Sequence, residues 1–372
     1  MKRISLIQIG FGTVGGALIE QVLDNKQRWR DQLGIDVTYS AIAGRDGAVV
    51  EPNRDGLQEP GLRGAVARRR ARMREGAAAS ANAHAFDSLE DVVTRMCDSR
   101  PVILIDAAAG EETAAVDALA LAKGAGVVLS NKAPLSLPLE DHRGSALWDQ
   151  AGSHGRLRYE ATCGAGLPVI STLRSLIDTG DEMLEISGAL SGTFGAIFSS
   201  VAAGEPFSRA VRTARDGGYT EPDPRDDLSG LDVARKGLIL ARTLGQRVNL
   251  ADISIHSLVP DHLGHGTVDE FLDRLDMMDS DIRQRADEAA AMGTSLKYIV
   301  RWTRTGGISA GLRQVPRETV LGALQGPENI VSFRSVRYDQ YPCVISGPGA
   351  GAAVTAAGMA SDLLALVRDL AD

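Results

Sequence analysis

Aromatic residues are scarce, with Phe, Tyr and Trp making up 4 % of 372 residues. A surface that stacks nucleobases needs exposed rings, so single-strand nucleic-acid binding is disfavoured. Positive charge is also in deficit: 40 Lys and Arg face 48 Asp and Glu, for a formal net charge of −8. Nucleic acid and anionic membrane both call for a basic face, and neither is an expected partner. The three cysteines, Cys97, Cys163 and Cys343, form no CxxC pair and no disulfide framework. A reducing, cytoplasmic setting follows. No HExxH occurs among the six histidines, and His262 and His265 read as a polar loop. No apolar run approaches the ~20 residues that span a bilayer. The start, Met1-Lys2-Arg3 before Ile4–Ile9, imitates a signal peptide, but Gln8, Gly10, Gly12 and Glu20 interrupt it. It reads as a first buried strand.

What the sequence does have is a core, since 44 % of the residues are hydrophobic. In the first 150 residues short apolar runs alternate with helical spacing. Strands are expected at Ile4–Ile9, Val37–Ala43, Val102–Ile105 and Val127–Leu129. Helices are expected after Val14, over Ser88–Met96 and over Thr113–Lys123. This pattern predicts a parallel sheet with helices on both faces. Between them, Arg63, Arg68, Arg69, Arg70, Arg72 and Arg74 form a basic run, read as a solvated helix face on a linker. Beyond residue 150 the pattern becomes mixed. Strands are expected at Arg156–Tyr159, Met183–Leu190, Leu296–Thr303, Thr319–Leu324 and Ile330–Ser335. Helices are expected over Pro168–Ile177, Leu228–Leu244 and Thr267–Ala291, and over Ala352–Leu370 at the end. No internal repeat or extended low-complexity tract appears. The predicted fold class is α/β: a Rossmann dinucleotide-binding domain over 1–150, completed by 342–372, and an α+β catalytic and dimerisation domain over 151–341.

Gly10-x-Gly12-x-x-Gly15 lies between the first strand and first helix. Gly10 permits a tight turn, Gly12 lets the backbone approach a pyrophosphate, and Gly15 allows close helix–strand packing. The helix start then faces the anion. The second strand ends in Ala43-Gly44-Arg45-Asp46. An acid there would bind the ribose hydroxyl of NAD, whereas an arginine would take the 2′-phosphate of NADP. Arg45 favours NADP, and Asp46 keeps NAD open. Asn131-Lys132 follows a buried strand, at the edge where open α/β sheets bind ligands.

The densest constellation is Gly218-Tyr219-Thr220-Glu221-Pro222-Asp223-Pro224-Arg225-Asp226-Asp227 and the following helix, which carries Asp232 and Lys236. Four residues turn a helix by roughly 400°, so these two side chains share a face. Spacing alone allows a surface ion pair or a lysine tuned for proton transfer. Two further glycine-bearing segments are Tyr159–Pro168, whose carbonyls and Glu160 suit a hard cation or an ordinary turn, and Ser346–Gly351, read as opening the last helix or as closing over the cofactor. Cys163 has no adjacent base and is not read as a nucleophile.

Taken together, these residues resemble the homoserine dehydrogenase family over nearly the whole chain, most specifically from Gly218 to Lys236. The resemblance implies interconversion of L-aspartate 4-semialdehyde and L-homoserine with NADPH or NADH, in threonine and methionine biosynthesis. By that resemblance Lys236 is the catalytic proton donor, and Lys132 lies between cofactor and substrate. Glu221, Asp232, Asp227, Gly218, Tyr219 and Thr193 surround the substrate. Gly10, Phe11, Gly12, Thr13, Val14, Gly15, Arg45, Lys132 and Gly351 contact the nucleotide. Glu160 and the carbonyls of Cys163, Ala165 and Leu167 form a monovalent cation site, usually sodium, and the chain pairs as a homodimer. The expected form is monofunctional, without an appended kinase or a small regulatory module. The alternatives are another NADP-dependent oxidoreductase of an amino-acid aldehyde or keto acid, or a non-catalytic NADP-binding protein.

Overall fold

The computed structural model describes residues 1–44, 47–51, 56–75, 88–152 and 155–369. The chain divides into two compact units, Met1–Ile170 with Ala350–Asp372, and Ser171–Gly349.

The first unit is built on a six-stranded sheet. Its strands are β1 (Lys2–Ile9), β2 (Ile35–Gly44), β3 (Gly47–Val50), β4 (Val102–Asp106), β5 (Gly126–Leu129) and β6 (Leu157–Arg158), in the order β3-β2-β1-β4-β5-β6. All neighbours run parallel except β3, which turns back antiparallel on β2. Residues Ile4 to Ile9 of β1 are all buried, as a strand covered on both faces requires. Helix α1 (Thr13–Leu33) lays Leu18, Ile19 and Val22 on the sheet. The C-terminal helix, Ala352–Asp369, adds Met359, Leu363 and Leu366 to the same core. Gln21 on α1 donates to the Ala353 carbonyl at 2.7 Å, tying the two helices.

The basic run lies on helix α2 (Glu59–Glu75). Leu62 and Val66 are buried in the core shared with α1. Arg63 pairs with Asp24 at 2.7 Å, and Arg70 grips Glu20 with two bonds at 2.7 and 2.8 Å. The arginines that the sequence reading left as a solvated face therefore include two that clamp α2 onto α1.

The second unit carries β7 (Met183–Ala189), β8 (Ser254–Ile255), β9 (Thr294–Thr303), β10 (Gly307–Pro316), β11 (Glu328–Ser335) and β12 (Cys343–Pro348). Their order is β12-β11-β7-β9-β10-β8, antiparallel apart from the short β8–β10 pairing.

Several local expectations change. Thr319–Leu324 is not a strand; Thr319 caps a helical turn over Val320–Ala323 by accepting from the Gly322 N–H. Leu228–Leu244 is not one helix, because Gly230 takes φ 75° and breaks it. Ser346–Gly351 does not simply open the last helix, because β12 runs to Pro348 and pairs with β11. The boundaries also differ from those at 150 and 342. β6 joins the first sheet, which carries that unit on to Ile170, and β12 keeps the second unit going to Gly349.

Candidate active site

In the first unit the glycine turn lies at the carboxyl end of β1. Gly10 has φ 80°, and a Cβ there would meet the Ala107 carbonyl oxygen at 2.5 Å. A Cβ on Gly15 would stand 2.1 Å from the Gly10 oxygen. A Cβ on Gly12 would have nothing within 4 Å. Gly10 and Gly15 are thus demanded by the fold, whereas Gly12 leaves room for a ligand. No side chain caps the N-terminus of α1, so its first N–H groups are open to an anion. Thr13 and Val14 form its first turn, with Val14 and Phe11 packed on the core. These residues fit a dinucleotide pyrophosphate. Gln8 supports the turn from below. It is fully buried, donates to the carbonyls of Gly10 and Gly15 at 2.9 Å each, and accepts from the Tyr39 hydroxyl at 3.0 Å. The sequence reading saw Gln8 only as a break in an apolar run; a lone amide inside a buried strand was the available signal.

At the end of β2, a Cβ on Gly44 would come within 2.9 Å of the Phe11 ring. An acidic side chain there would have to displace that ring. Arg45 and Asp46 lie outside the described residues. Gly351 has φ 122° and immediately precedes the C-terminal helix.

Lys132 follows β5 on a loop anchored by Asn131 and Asp106. Asp106 closes β4 and is fully buried. Its oxygens accept from the Ala108 N–H at 2.8 Å, Thr113 Oγ1 at 2.7 Å and Asn131 Nδ2 at 3.0 Å. Asn131 also donates to the Gly110 carbonyl and accepts from the Ala133 N–H. Burial raises the Asp106 pKa, and the hydrogen bonds from Thr113, Ala108 and Asn131 oppose the rise. Asp117, on the helix Ala114–Ala122, is also fully buried, and its carboxyl shares a hydrogen bond with that of Asp106. Burial, then the charge of Asp106, raises its pKa well above the usual carboxylate value.

The Glu160–Leu167 loop packs within this unit. Glu160 is 6 % exposed and accepts from the Ile170 N–H at 2.6 Å. Its own N–H donates to Asp362 on the C-terminal helix at 2.7 Å. Ala165 has φ 57°, the one non-glycine residue at positive φ among the described residues. A Cβ on Gly358 would meet the Ala165 oxygen at 2.9 Å, so a glycine lets the helix seat against the loop. The Leu167 carbonyl accepts from the Val169 N–H at 2.8 Å. Cys163 is buried and forms no disulfide. Among the described residues no three His, Cys, Asp or Glu side chains gather around a metal position. A cation here would rest on one carboxylate and backbone carbonyls.

The second unit gathers the other predicted residues. The helix Gly192–Ala202 presents Thr193, and the helix Phe207–Asp216 leads into the Gly218 turn, where φ is 72°. Asp227 ends the loop on the short helix Pro224–Leu228. It accepts from Thr193 Oγ1 at 2.8 Å and from the Glu221 N–H at 2.7 Å. Thr193 Oγ1 also lies 2.5 Å from the Tyr219 carbonyl. One hydroxyl proton cannot serve both acceptors. Burial raises the Asp227 pKa, and the hydrogen bonds from the Glu221 N–H and Thr193 oppose the rise. Glu221 itself is exposed, and Tyr219 is half-exposed.

Asp232 and Lys236 lie one turn apart on the helix Leu231–Thr243. Their side chains meet at 2.7 Å, and Lys236 Nζ also donates to the Leu190 carbonyl at 2.6 Å. The Lys236 side chain is 12 % exposed, against 48 % for Asp232. A fully exposed pair at this spacing contributes at most about 1 kcal/mol to stability. Here, however, the ammonium is drawn inward by a carbonyl at the end of β7 and is not loosely solvated. Leu190 was not foreseen, since a backbone carbonyl leaves no trace in side-chain chemistry. The break at Gly230 sets this helix apart. A Cβ there would fall 1.8 Å from Tyr298 Oη, and Tyr298 stacks on Phe194 of the helix Gly192–Ala202 at 3.9 Å. One aromatic contact thus registers the helix carrying Lys236 against the helix carrying Thr193.

Comparison with known proteins follows this division. The family model described as homoserine dehydrogenase matches residues 168–364, and that of the homoserine dehydrogenase NAD binding domain matches residues 10–160. The homoserine dehydrogenase of Saccharomyces cerevisiae is 33 % identical over 381 residues, covering 99 % of this chain and 99 % of the yeast protein. The chloroplastic bifunctional aspartokinase/homoserine dehydrogenase 2 of Zea mays is 36 % identical over 369 residues, covering 97 % of this chain. The chain spans only 38 % of that protein's length, and similarly small shares of the other bifunctional relatives. A crystal structure of a Candida auris protein of unknown function overlays with a TM-score of 0.85 at 30 % identity, covering 99 % of each chain.

Proposed function

Because the chain belongs to the homoserine dehydrogenase family, we propose that it interconverts L-aspartate 4-semialdehyde and L-homoserine, a step of threonine and methionine biosynthesis, using NADP(H) in preference to NAD(H). The observation that carries this reading is the half-sequestered Lys236 ammonium, held by Asp232 and the Leu190 carbonyl. The bound nicotinamide supplies the hydride to the aldehyde carbon. Lys236 Nζ gives its proton to the carbonyl oxygen as negative charge develops there. Asp232 and the Leu190 carbonyl fix the direction of the ammonium, and lysine, unlike arginine, can surrender a proton. Glu221 and Asp232 offer carboxylates for the substrate ammonium. Asp227 and Thr193 hold the Gly218–Glu221 loop in shape around it. Lys132, on the loop after β5, supplies a cation for the nucleotide.

The preference for NADP rests on Gly44, where Phe11 fills the space that a ribose-binding acid would use. Glu160 and the carbonyls of Cys163, Ala165 and Leu167 would hold sodium, oxygen ligands being what such ions take. A homodimer is supported by β12, an edge strand with Val344 exposed, and by Val336, Tyr338 and Tyr341 exposed beside it. Among the described residues no helix is long and apolar enough to cross a membrane, and no disulfide joins Cys97, Cys163 and Cys343. We assign the reaction to the cytoplasm on the cysteines.

The test is nicotinamide absorbance with purified protein, L-homoserine and either NADP or NAD, with and without sodium. Turnover with homoserine, faster with NADP, is the expected result. Turnover confined to NAD overturns the cofactor preference. Cofactor binding with no turnover in either direction overturns the reaction.

A further inference from the structure

The loop over residues 218–227, to which the proposed reaction assigns the substrate ammonium, is fastened from outside at both ends. It follows the helix Phe207–Asp216 and finishes on the short helix Pro224–Leu228. From the first helix, Arg212 Nη2 donates to the Leu272 carbonyl. From the second, Arg225 Nη1 donates to the Gly266 carbonyl at 3.0 Å, and the same guanidinium lies 5.5 Å from the centre of the Phe271 ring. Both arginines thus reach one segment, residues 266–272, that no step of the reaction uses.

That segment has its own bracing. The Glu270 N–H donates to Thr267 Oγ1 at 3.2 Å, and the Thr267 N–H donates to Glu270 Oε2 at 2.8 Å, a reciprocal cap. Phe271 and Leu272 are buried and root it in the core. Arg225 carries the connection to the site. Its Nε stands 2.9 and 3.0 Å from the two oxygens of Asp223, and its Nη2 donates to Oδ2 at 2.7 Å. Asp223 also accepts from the Arg225 N–H at 3.0 Å and so caps the helix that presents Asp227. Asp227 in turn accepts from the Glu221 N–H. A continuous line of contacts therefore runs from residues 266–272 through Arg225, Asp223 and Asp227 to the backbone of Glu221. Glu221 is exposed, so burial does not order it. A loop fastened before the substrate arrives loses less conformational entropy on binding.

We propose that residues 266–272 are a platform for the substrate loop and that Arg225 is a positioning residue, which acts through Asp223 and Asp227 to set where the Glu221 carboxylate meets the substrate ammonium. The proposal rests on the reading that this loop holds the substrate. Lysine in place of Arg225 keeps a charge for Asp223. One ammonium cannot fork onto that carboxylate, reach Gly266 and lie over Phe271 together.

The test measures kcat and the KM values for L-homoserine and NADP, with thermal unfolding, in wild type, Arg225→Lys, Glu221→Gln and the double variant. Arg225→Lys is expected to raise the KM for homoserine about tenfold while kcat and the KM for NADP move less than about twofold. In the Glu221→Gln background the same substitution should add less than about twofold, because Arg225 acts through that carboxylate. A full tenfold addition in that background is what a merely structural role gives, and it overturns the proposal. Equal changes in both KM values overturn it too. If Arg225→Lys fails to fold, Arg212→Met, which releases the other end of the loop, decides by the same pair of KM values. Wild-type protein without homoserine turnover overturns the reaction and this role with it, whereas normal wild-type turnover with an unchanged homoserine KM in Arg225→Lys overturns the role of Arg225 alone.

Discussion

Lys236→Arg separates the charge of this residue from its proton. The wild-type ammonium has two acceptors, Asp232 at 2.7 Å and the Leu190 carbonyl at 2.6 Å. Arginine retains the positive charge and N–H donors for both. Asp232 is about half exposed, so a perturbed pair alters stability by less than about 1 kcal/mol. Arginine cannot give up a proton near neutrality. Loss of a positioned general acid lowers kcat by about 10²–10⁴, or roughly 3–5 kcal/mol of barrier. Lys236→Ala, by contrast, removes the donor from the Leu190 carbonyl as well, adding about 1–3 kcal/mol of destabilisation if water cannot replace it. The assay is nicotinamide absorbance with saturating aspartate 4-semialdehyde, alongside thermal unfolding and NADPH fluorescence titration. The expected outcome for Lys236→Arg is a nearly unchanged melting temperature and NADPH affinity, with kcat down at least about a hundredfold. Retention of more than about a tenth of wild-type kcat by folded Lys236→Arg would refute the role of Lys236 as proton donor.

Three further outcomes are expected. Gly12→Ala should fold normally and bind NADPH about tenfold or more weakly, whereas Gly15→Ala should lose stability through its 2.1 Å clash with the Gly10 oxygen; unfolding curves and fluorescence titration distinguish them, and unchanged affinity in Gly12→Ala would remove Gly12 from the site. Gly230→Ala should cost about 2–4 kcal/mol in urea unfolding, combining a left-handed backbone with displacement of Tyr298; a cost below about 1 kcal/mol would mean that the helix break does not depend on this glycine. For Asp117 the folded pKa lies above the unfolded one, so folding takes up a proton and stability falls as pH rises above the ordinary value of 3.8 towards the folded pKa. Asp117→Asn should flatten that decline in melting temperature, and an equally steep decline in the variant would show that Asp117 does not cause it.

Much of the first unit was legible because each signal was local. Apolar runs such as Val102–Ile105 and Val127–Leu129 can satisfy themselves only as covered parallel strands. The glycine spacing between a strand and a helix carries its own geometric reason. Strands with mixed exposure were less visible. β12 has no fully buried residue, and β10 interrupts its buried positions with exposed ones, so their pairing rather than their composition defines them. The break at Gly230 was equally hidden, because a helical apolar pattern continues across it and only Tyr298, sixty-eight positions away, requires it.

The sequence by itself determined the parallel nucleotide-binding sheet, the glycine turn and the facing of Asp232 and Lys236, because each depends on neighbours within a few residues. Tertiary structure alone decided which groups became partners. It drew the Lys236 ammonium onto the Leu190 carbonyl, clasped Asp227 between Thr193 and Glu221, and converted part of an arginine run into clamps on Asp24 and Glu20. Such contacts join positions far apart in the chain. They exist only where packing of the core has already brought those positions together.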